Sequence, residues 1–438
     1  QLWLKHRDKP PRPLTRDKLA GHDYAPVWSS DGKKIYFLRW QDDQLGSIRV
    51  VSSNRGKSRQ VSNHPGHYVD LQISVDDQAL VYRRLSGSNM THPGWGDKPG
   101  LYQLLLASSE ETRISKKGTH PHYGADGRIY ALERTWAAAG RGSDSSAQSK
   151  LISVNSAGFD ARTHASSEFA TDFRISPDGR YLAFIEHFQL YLTVMPAQGL
   201  TFQVGPSSTA MPVKQVSQWG ADYVSFSKDG KTLNWSIGPD YKSIQVESFL
   251  FDDEAKTTAV NLSQSIDAAK PAGVIALVGG KVITMDANRS VLEAGVVLIQ
   301  ENRIQQVGTR SEVSIPADAK VLDVTGKTVM PGMIDAHAHG PYARDQIIPQ
   351  QNWSLLAHLA LGVTTVHNPS SRSRQVFAAA EYQKSGRILG PRIFSTGEIV
   401  YGAKSTGFAP VDSLDDALAH VKRLKSQGAV SIKKIGRA

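Results

Sequence analysis

The chain has 438 residues, 40% apolar and 21% charged, with a formal net charge of +10; this is a globular composition on a chain too long for one core, so two or three domains are expected. Cysteine is absent, which excludes disulfides, thiolate zinc sites and cysteine nucleophiles, and no run reaches the roughly 18 to 20 apolar residues of a membrane span. The basic residues are scattered, densest in the short stretches KHRDKPPRPLTRDK and SIKKIGRA, and no basic face interleaved with aromatics points to nucleic acid. The sequence opens at Gln1 without an apolar signal core, so a targeting segment is expected to have been removed or to lie outside it.

One phrase recurs in the first 260 residues: VWSSDGKKIYF (27–37), QISVDDQALVY (72–82), YGADGRIYAL (123–132), RISPDGRYLAF (174–184) and SFSKDGKTLNW (225–235). Its aspartates, Asp31, Asp76, Asp126, Asp178 and Asp229, recur at intervals of 45 to 52 residues. Each phrase predicts a strand, an Asp-Gly type turn and an alternating strand, hence a β-hairpin. A looser phrase after each hairpin predicts two more strands around a polar turn, and four strands at this period match a propeller blade. One further outer pair, LWLKHRDKPPRPLT (2–15), has no hairpin before it. Six outer pairs and five inner hairpins predict a six-bladed propeller whose first blade lacks its inner half. The wording SPDGRYLAF resembles the blades of the TolB family. The turn aspartates are read as structural, and SGSNMTHPGWGDKPG (86–100), with His92 and Trp95, as a long loop.

After NLSQSIDAAKPAG come short Val- and Ile-rich phrases, VIALVGGKVITM, GVVLIQENRIQQVG and AKVLDVTGKTVMPG, read as a small β unit. Helices then alternate with strands: NWSLLAHLALG, SRQVFAAAEYQKSG and SLDDALAHVKRLKSQG as helices, and VTTVHN, PRIFSTG and AVSIKKI as strands. Ser413 before two aspartates and Gly428 at the end delimit the third helix. Counted from VMPGMIDAH, four strands in βα order are half of an eight-stranded barrel.

In VMPGMIDAHAHG (329–340), His337 and His339 are two residues apart at the end of an apolar run. On a strand, such residues project to one side. Two neutral imidazoles at the C-terminal end of a barrel strand suit zinc or a similar divalent ion. Asp335 shares their parity and is expected to orient a ligand or hold the strand end.

GKTVMPGMIDAHAHG resembles the amidohydrolase-superfamily signature PGxIDxHxH. The β phrases before it resemble that superfamily's sandwich, and LGVTTVHNPS and GPRIFSTG resemble the second and third barrel strands of its imidazolonepropionase-like and prolidase-like branch. The resemblance covers about residues 273 to 438. It implies a hydrolase with one or two divalent ions, zinc first among them, bound by His337 and His339. It also implies a strand-four lysine that is carbamylated and bridges two metals. Lys433 in GAVSIKKI occupies that position, with Lys434 its neighbour of opposite parity. His367 at the end of strand two is a substrate contact or a satisfied polar residue. Asn368 departs from the Asp of close relatives, and Ser395 and Tyr401 are candidates for the substrate pocket. The later ligands of the family have no positions here.

The expected architecture is multidomain: a TolB-like six-bladed all-β propeller (1–262), a small β-sandwich segment (273–328) and the N-terminal half of a (β/α) TIM-type barrel (329–438). The expected activity is metal-dependent hydrolysis of an amide or peptide-like C–N bond, with the propeller shaping access; the competing reading is a cell-envelope propeller binding module with an inert barrel. Expected partners are a small-molecule or peptide-like substrate, the rest of the barrel from further sequence or another chain, and a second copy of the chain. The location implied by the TolB resemblance is periplasmic or secreted.

Overall fold

A computed structural model describes residues 1–438 except 7–8, 16–20, 93–97, 136–147, 197–200, 253–254, 403–406 and 436–438. Each Asp-Gly phrase forms the hairpin its sequence predicts. The Asp31 carboxylate accepts from the Ser29 hydroxyl at 2.7 Å and the Lys33 amide at 2.9 Å. The same pair of bonds recurs at Asp76, Asp178 and Asp229. These bonds hold the Asp31 carboxyl below its ordinary range. The next residue must take a left-handed backbone, which glycine does without strain. Gly32, Gly127, Gly179 and Gly230 have φ between 68° and 75°. In the second hairpin Asp77 accepts the same conformation at φ 59°, and its carboxylate receives the Ser30 amide of the neighbouring hairpin at 2.8 Å.

Each hairpin is extended outward by two further strands. The resulting sheets start at the inner strands His22–Trp28, His67–Ile73, Thr119–Tyr123, Ala170–Ile175 and Asp222–Phe226. A two-stranded sheet, Trp3–Leu4 with Arg12–Pro13, stands before them, and its flanking Leu2 and Leu14 pack on Ile35, Phe37 and Val51 of the first hairpin sheet. The apolar faces of adjacent sheets meet in shared cores. Tyr36, Leu38 and Ile48 of one sheet interlock with Tyr68, Leu71, Leu80 and Tyr82 of the next. His92 of the Gly/Pro-rich segment bridges to Ser88, whereas Trp95 lies outside the described residues.

Buried within the third sheet's inner strand, His122 accepts the Ile175 amide on Nε2 at 3.1 Å, a bond that requires a neutral nitrogen. Burial, reinforced by Arg174, pushes this imidazole down to about 3. The unfolded chain therefore takes up a proton that the folded state resists. The stability held by His122 is complete above about pH 6.5, the ordinary histidine value, and is lost progressively as pH falls toward 3. Guanidinium titrations at stepped pH are expected to show unfolding free energy rising with pH across this window, with a smaller slope in His122→Gln.

The β phrases after residue 273 form one mixed sheet, in which Val274–Ile283 pairs antiparallel with Val291–Gln300 and parallel with Lys320–Asp323 and Thr328–Val329. A sandwich needs two packed sheets, and the described residues form one here. One face is covered by Val313 and Ile315 over Ala276, Val296 and Leu298, while Ile304, Val307, Val321 and Leu322 are exposed.

The final region is a parallel sheet of Met333–Asp335, Val363–Asn368 and Arg392–Ser395. Helices α2 (Trp353–Ala360), α3 (Ser373–Lys384) and α4 (Leu414–Gln427) connect and follow these strands, after the short α1 (Val246–Phe251) of the preceding region. The α4 caps are those predicted: Ser413 accepts the Asp416 amide, and Gly428 closes the helix at φ 116°. Ser413→Ala is expected to cost about 1 kcal/mol of stability, measurable as a shift in a urea unfolding midpoint. α3 has no side-chain cap of its own; instead Glu398 accepts the Ser373 amide at 2.9 Å.

Strand four differs from its expected form. Only Lys434–Ile435 of AVSIKKI is extended, and it pairs with Val400–Tyr401 rather than with the third strand. Among the described residues no closed barrel forms. Residues in register share a face of a parallel sheet. Val366 and Ile393 turn toward the helices, packing with Leu355, Val376 and Ala379. Ile334, Thr365 and Arg392, with His367 and Phe394, therefore face the other way. On that side Ile334 and Phe394 are exposed, and so are Met333 and Ile432 nearby.

Candidate functional site

The histidine pair lies at the C-terminal edge of the parallel sheet, where open parallel sheets and barrels place their chemistry. The strand ends at Asp335, so His337 and His339 occupy the turn just beyond it rather than the strand itself. Their rings nevertheless converge, with centroids 5.0 Å apart in an edge-to-face arrangement. Both are exposed, while Ala338 between them is buried. Ala338 donates its amide to the His367 carbonyl at 3.0 Å, tying the turn to strand two. Asp335 accepts the His337 amide at 3.0 Å, which fixes the turn's first residue. Its other oxygen lies 3.9 Å from His358 Nε2 on α2.

His367 projects from the face opposite the helices, and its Nε2 meets the Ser431 hydroxyl at 2.7 Å. Lys433 follows two residues later, half-buried, its carbonyl accepting the Val400 amide at 2.9 Å. Asn368 is buried, donating to the Tyr342 hydroxyl at 3.2 Å and accepting the Ser370 amide at 2.8 Å; it holds the loop after strand two. Ser395 is also buried, its hydroxyl engaged between the Asn368 carbonyl at 2.9 Å and the Gly397 amide at 3.0 Å. Tyr401 is exposed and packs edge-on against Phe408 at 5.2 Å. The structure thus gathers His337, His339 and His367 at one edge with the 431–433 segment beside them, and gives Ser395 internal work.

Sequence reasoning overlooked His358 and Ser431. His358 sits on the α2 face four residues after Ser354, whose carbonyl meets its Nδ1 at 2.7 Å; its reach toward Asp335 depends on where α2 packs. Ser431 was one serine in a basic stretch, without a marker of its own.

As metal donors, two converging imidazoles fit two positions of a tetrahedral ion, which in catalytic zinc sites takes three protein ligands. Among the described residues no group of three or more His, Asp or Glu is placed to hold an ion.

No protein-family model matches the chain. It is 51% identical over 65 residues to an N-substituted formamide deformylase from Arthrobacter pascens, 14% of this chain and 12% of that protein. It is 41% identical over 107 residues to an imidazolonepropionase from Geobacillus sp. (strain WCH70), 23% of this chain and 25% of the relative. The chain therefore spans a quarter or less of the length of these two relatives. Among solved structures, TolB from Acinetobacter baumannii superposes at a TM-score of 0.37 with 12% identity, over 64% of this chain and 66% of that one, a similarity too loose to argue from. The chain is thus a series of hairpin-led β-sheets followed by a parallel sheet with helices, with short stretches of sequence similar to these two proteins.

Proposed function

We propose that the protein is a metal-dependent hydrolase of an amide or peptide-like C–N bond, acting on a small-molecule or peptide-like substrate. The observation that carries this reading is the convergence of His337 and His339 at the C-terminal edge of a parallel sheet. The similarity to a formamide deformylase and an imidazolonepropionase supports the bond type.

His337 and His339 would hold a divalent ion, zinc being the first choice for a pair of imidazole donors. Such an ion, when bound, supplies a water acidified to a pKa of about 7 and a Lewis acid for the substrate carbonyl. The remaining residues prepare the place. Asp335 fixes the turn through the His337 amide, and the Ala338 amide anchors it to strand two. His367, beside Ser431, is the substrate contact in this reading. Lys433, as its carbamate, would contribute an oxygen anion for a second ion; an ammonium cannot. Tyr401 lines the approach, and Ser395 keeps the loops after strands two and three in register. In the same reading the sheets of the first half close as a six-bladed propeller, the parallel sheet is part of an eight-stranded barrel, and the protein works in the periplasm or outside the cell.

The test uses the full protein stripped by a chelator and assayed on a panel of N-formyl amides and dipeptides. Hydrolysis is expected to vanish on stripping and to return with added zinc. Hydrolysis that persists in the metal-free protein contradicts the reading.

A further inference from the structure

Five residues after the histidine pair, the chain leaves the edge of the parallel sheet and reaches the first two hairpin sheets. Ile347 is fully buried among Trp40, Val69 and Leu85 of the first two hairpin sheets. Around this apolar anchor Arg344 and Ile347 exchange their own backbone bonds, and side chains of the first two hairpin sheets hold much of the rest of residues 344–351. Asp42 accepts the Gln350 amide at 2.9 Å and the Gln351 amide at 2.7 Å, and its own amide donates to the Gln350 side chain at 3.0 Å. Asp42 is in turn held by the Trp40 indole at 2.7 Å. Asp70 exchanges two bonds with the Gln346 side chain, at 2.8 and 3.1 Å. Arg83 joins Asp70 at 2.8 Å to Asp345 of the strap. His22 lies 3.0 Å from the Ile348 carbonyl through Nδ1 and stacks on Tyr382 of α3 at 4.2 Å.

The propeller residues involved are not arbitrary. Ala25, Asp70, His120 and Tyr223 each stand six residues before the turn aspartate, each in a left-handed conformation with φ between 48° and 58°. Each marks a shift of register in its inner strand. Asp172 occupies the same repeat position. Four non-glycine residues in this strained region, one per sheet, signal an imposed geometry. Two of them meet the region of the parallel sheet: Asp70 takes Gln346, and Tyr223 takes the Arg374 guanidinium over its ring at 5.5 Å, with Arg374 Nε 3.4 Å from Asp222. At these two positions the inner strands hold the chain's own second half.

The strap and the histidines belong to one loop. At its near end Ala338 is bonded to His367, and at its far end Asn352 caps α2 while donating to the Pro341 carbonyl at 2.6 Å. Between these points Gln375 of α3 donates to the Asp345 carbonyl at 2.9 Å.

We propose that the propeller is a positioning socket for the histidine turn: Asp42, Asp70, Arg83 and the seat of Ile347 fix the 344–351 strap, and through it the placement of His337 and His339. Asp42 and Asp70 are positioning residues and touch neither substrate nor ion. The proposal deepens the hydrolase reading and rests on it for the role of the histidines.

The experiment compares the full chain with Asp42→Ala and with the milder Gln346→Ala, following amide hydrogen exchange in 336–340 and 344–351 and the affinity for zinc alone by chelator competition. Both variants are expected to speed exchange in both segments and to weaken zinc binding, Asp42→Ala by roughly tenfold, the scale of losing an outer partner of a metal site. Asp42→Asn, which keeps one acceptor for the strap, is expected to recover part of each loss. Faster exchange in 344–351 with 336–340 and zinc affinity at the wild-type level overturns the socket. A wild-type chain that binds no zinc contradicts the metal reading alone. Exchange at 336–340 then decides the socket: acceleration there supports it, and unchanged exchange overturns it.

Discussion

Replacing His337 and His339 with alanine is expected to lower amide hydrolysis on the order of a thousandfold or more, since the ion they are proposed to hold would contribute several kcal/mol of transition-state stabilisation and each 1.36 kcal/mol is tenfold in rate. The loss is expected to be almost as large in each single variant as in the double one, because ligands of one ion act as a unit. Folding offers no competing explanation. Both side chains are exposed, and surface substitutions of this kind shift stability within about 0.5 kcal/mol. The check is kcat/KM on an N-formyl amide for the two single variants and the double variant, with urea unfolding midpoints alongside. Wild-type rates in the double variant would remove the histidines from the chemistry.

The largest effect on stability is expected at Arg39. Its guanidinium grips the Asp23 carboxylate through two bonds, at 2.6 and 3.0 Å, and the two side chains are 3% and 0% exposed. Thr15 adds a weaker bond to the same carboxylate at 3.2 Å. Arg39→Ala leaves that buried carboxylate with only the Thr15 hydroxyl and the half-exposed Gln1 ammonium at 3.4 Å, a loss of about 3 kcal/mol, the lower end for comparable buried pairs. Replacing both partners, as in Arg39→Met with Asp23→Leu, removes the stranded charge and is expected to recover most of the loss. Urea denaturation of the two variants checks both statements. A double variant as unstable as Arg39→Ala would place the cost in lost packing, including the stacking of Arg39 on Phe37 at 5.6 Å, rather than in the unpaired charge.

The features legible in the sequence are those whose cause is local. Asp31, Asp76, Asp178 and Asp229 bond to a serine two residues before and an amide two residues after, so the hairpins can be read from a few consecutive letters. The α4 caps, Ser413 and Gly428, are equally local. The pairing of His337 with His339 was visible as spacing. Their position past the strand end was not, because the strand stops where pairing with Val366 stops. The left-handed residues Asp70, His120 and Tyr223 were hidden for a related reason: a bulge is set by the register of the partner strand, and the residue bearing it is ordinary in composition. The strap was the least legible element. ARDQIIPQQ has neither helical nor strand periodicity, and most of the side chains that order it lie far away in sequence, as Asp42 lies 308 positions from Gln350. Ser395 stood at a strand end, where pocket residues are expected, but its hydroxyl is used between Asn368 and Gly397. A lone hydroxyl does not reveal its partner in advance.

The most direct test of the central claim is the zinc-edge X-ray absorption spectrum of the zinc-loaded full chain beside that of the His337→Ala/His339→Ala variant. The account predicts imidazole scattering from at least two ligands in the wild type and its loss in the variant, together with the loss of tightly bound zinc. The same spectrum and the same zinc content in both proteins would contradict it.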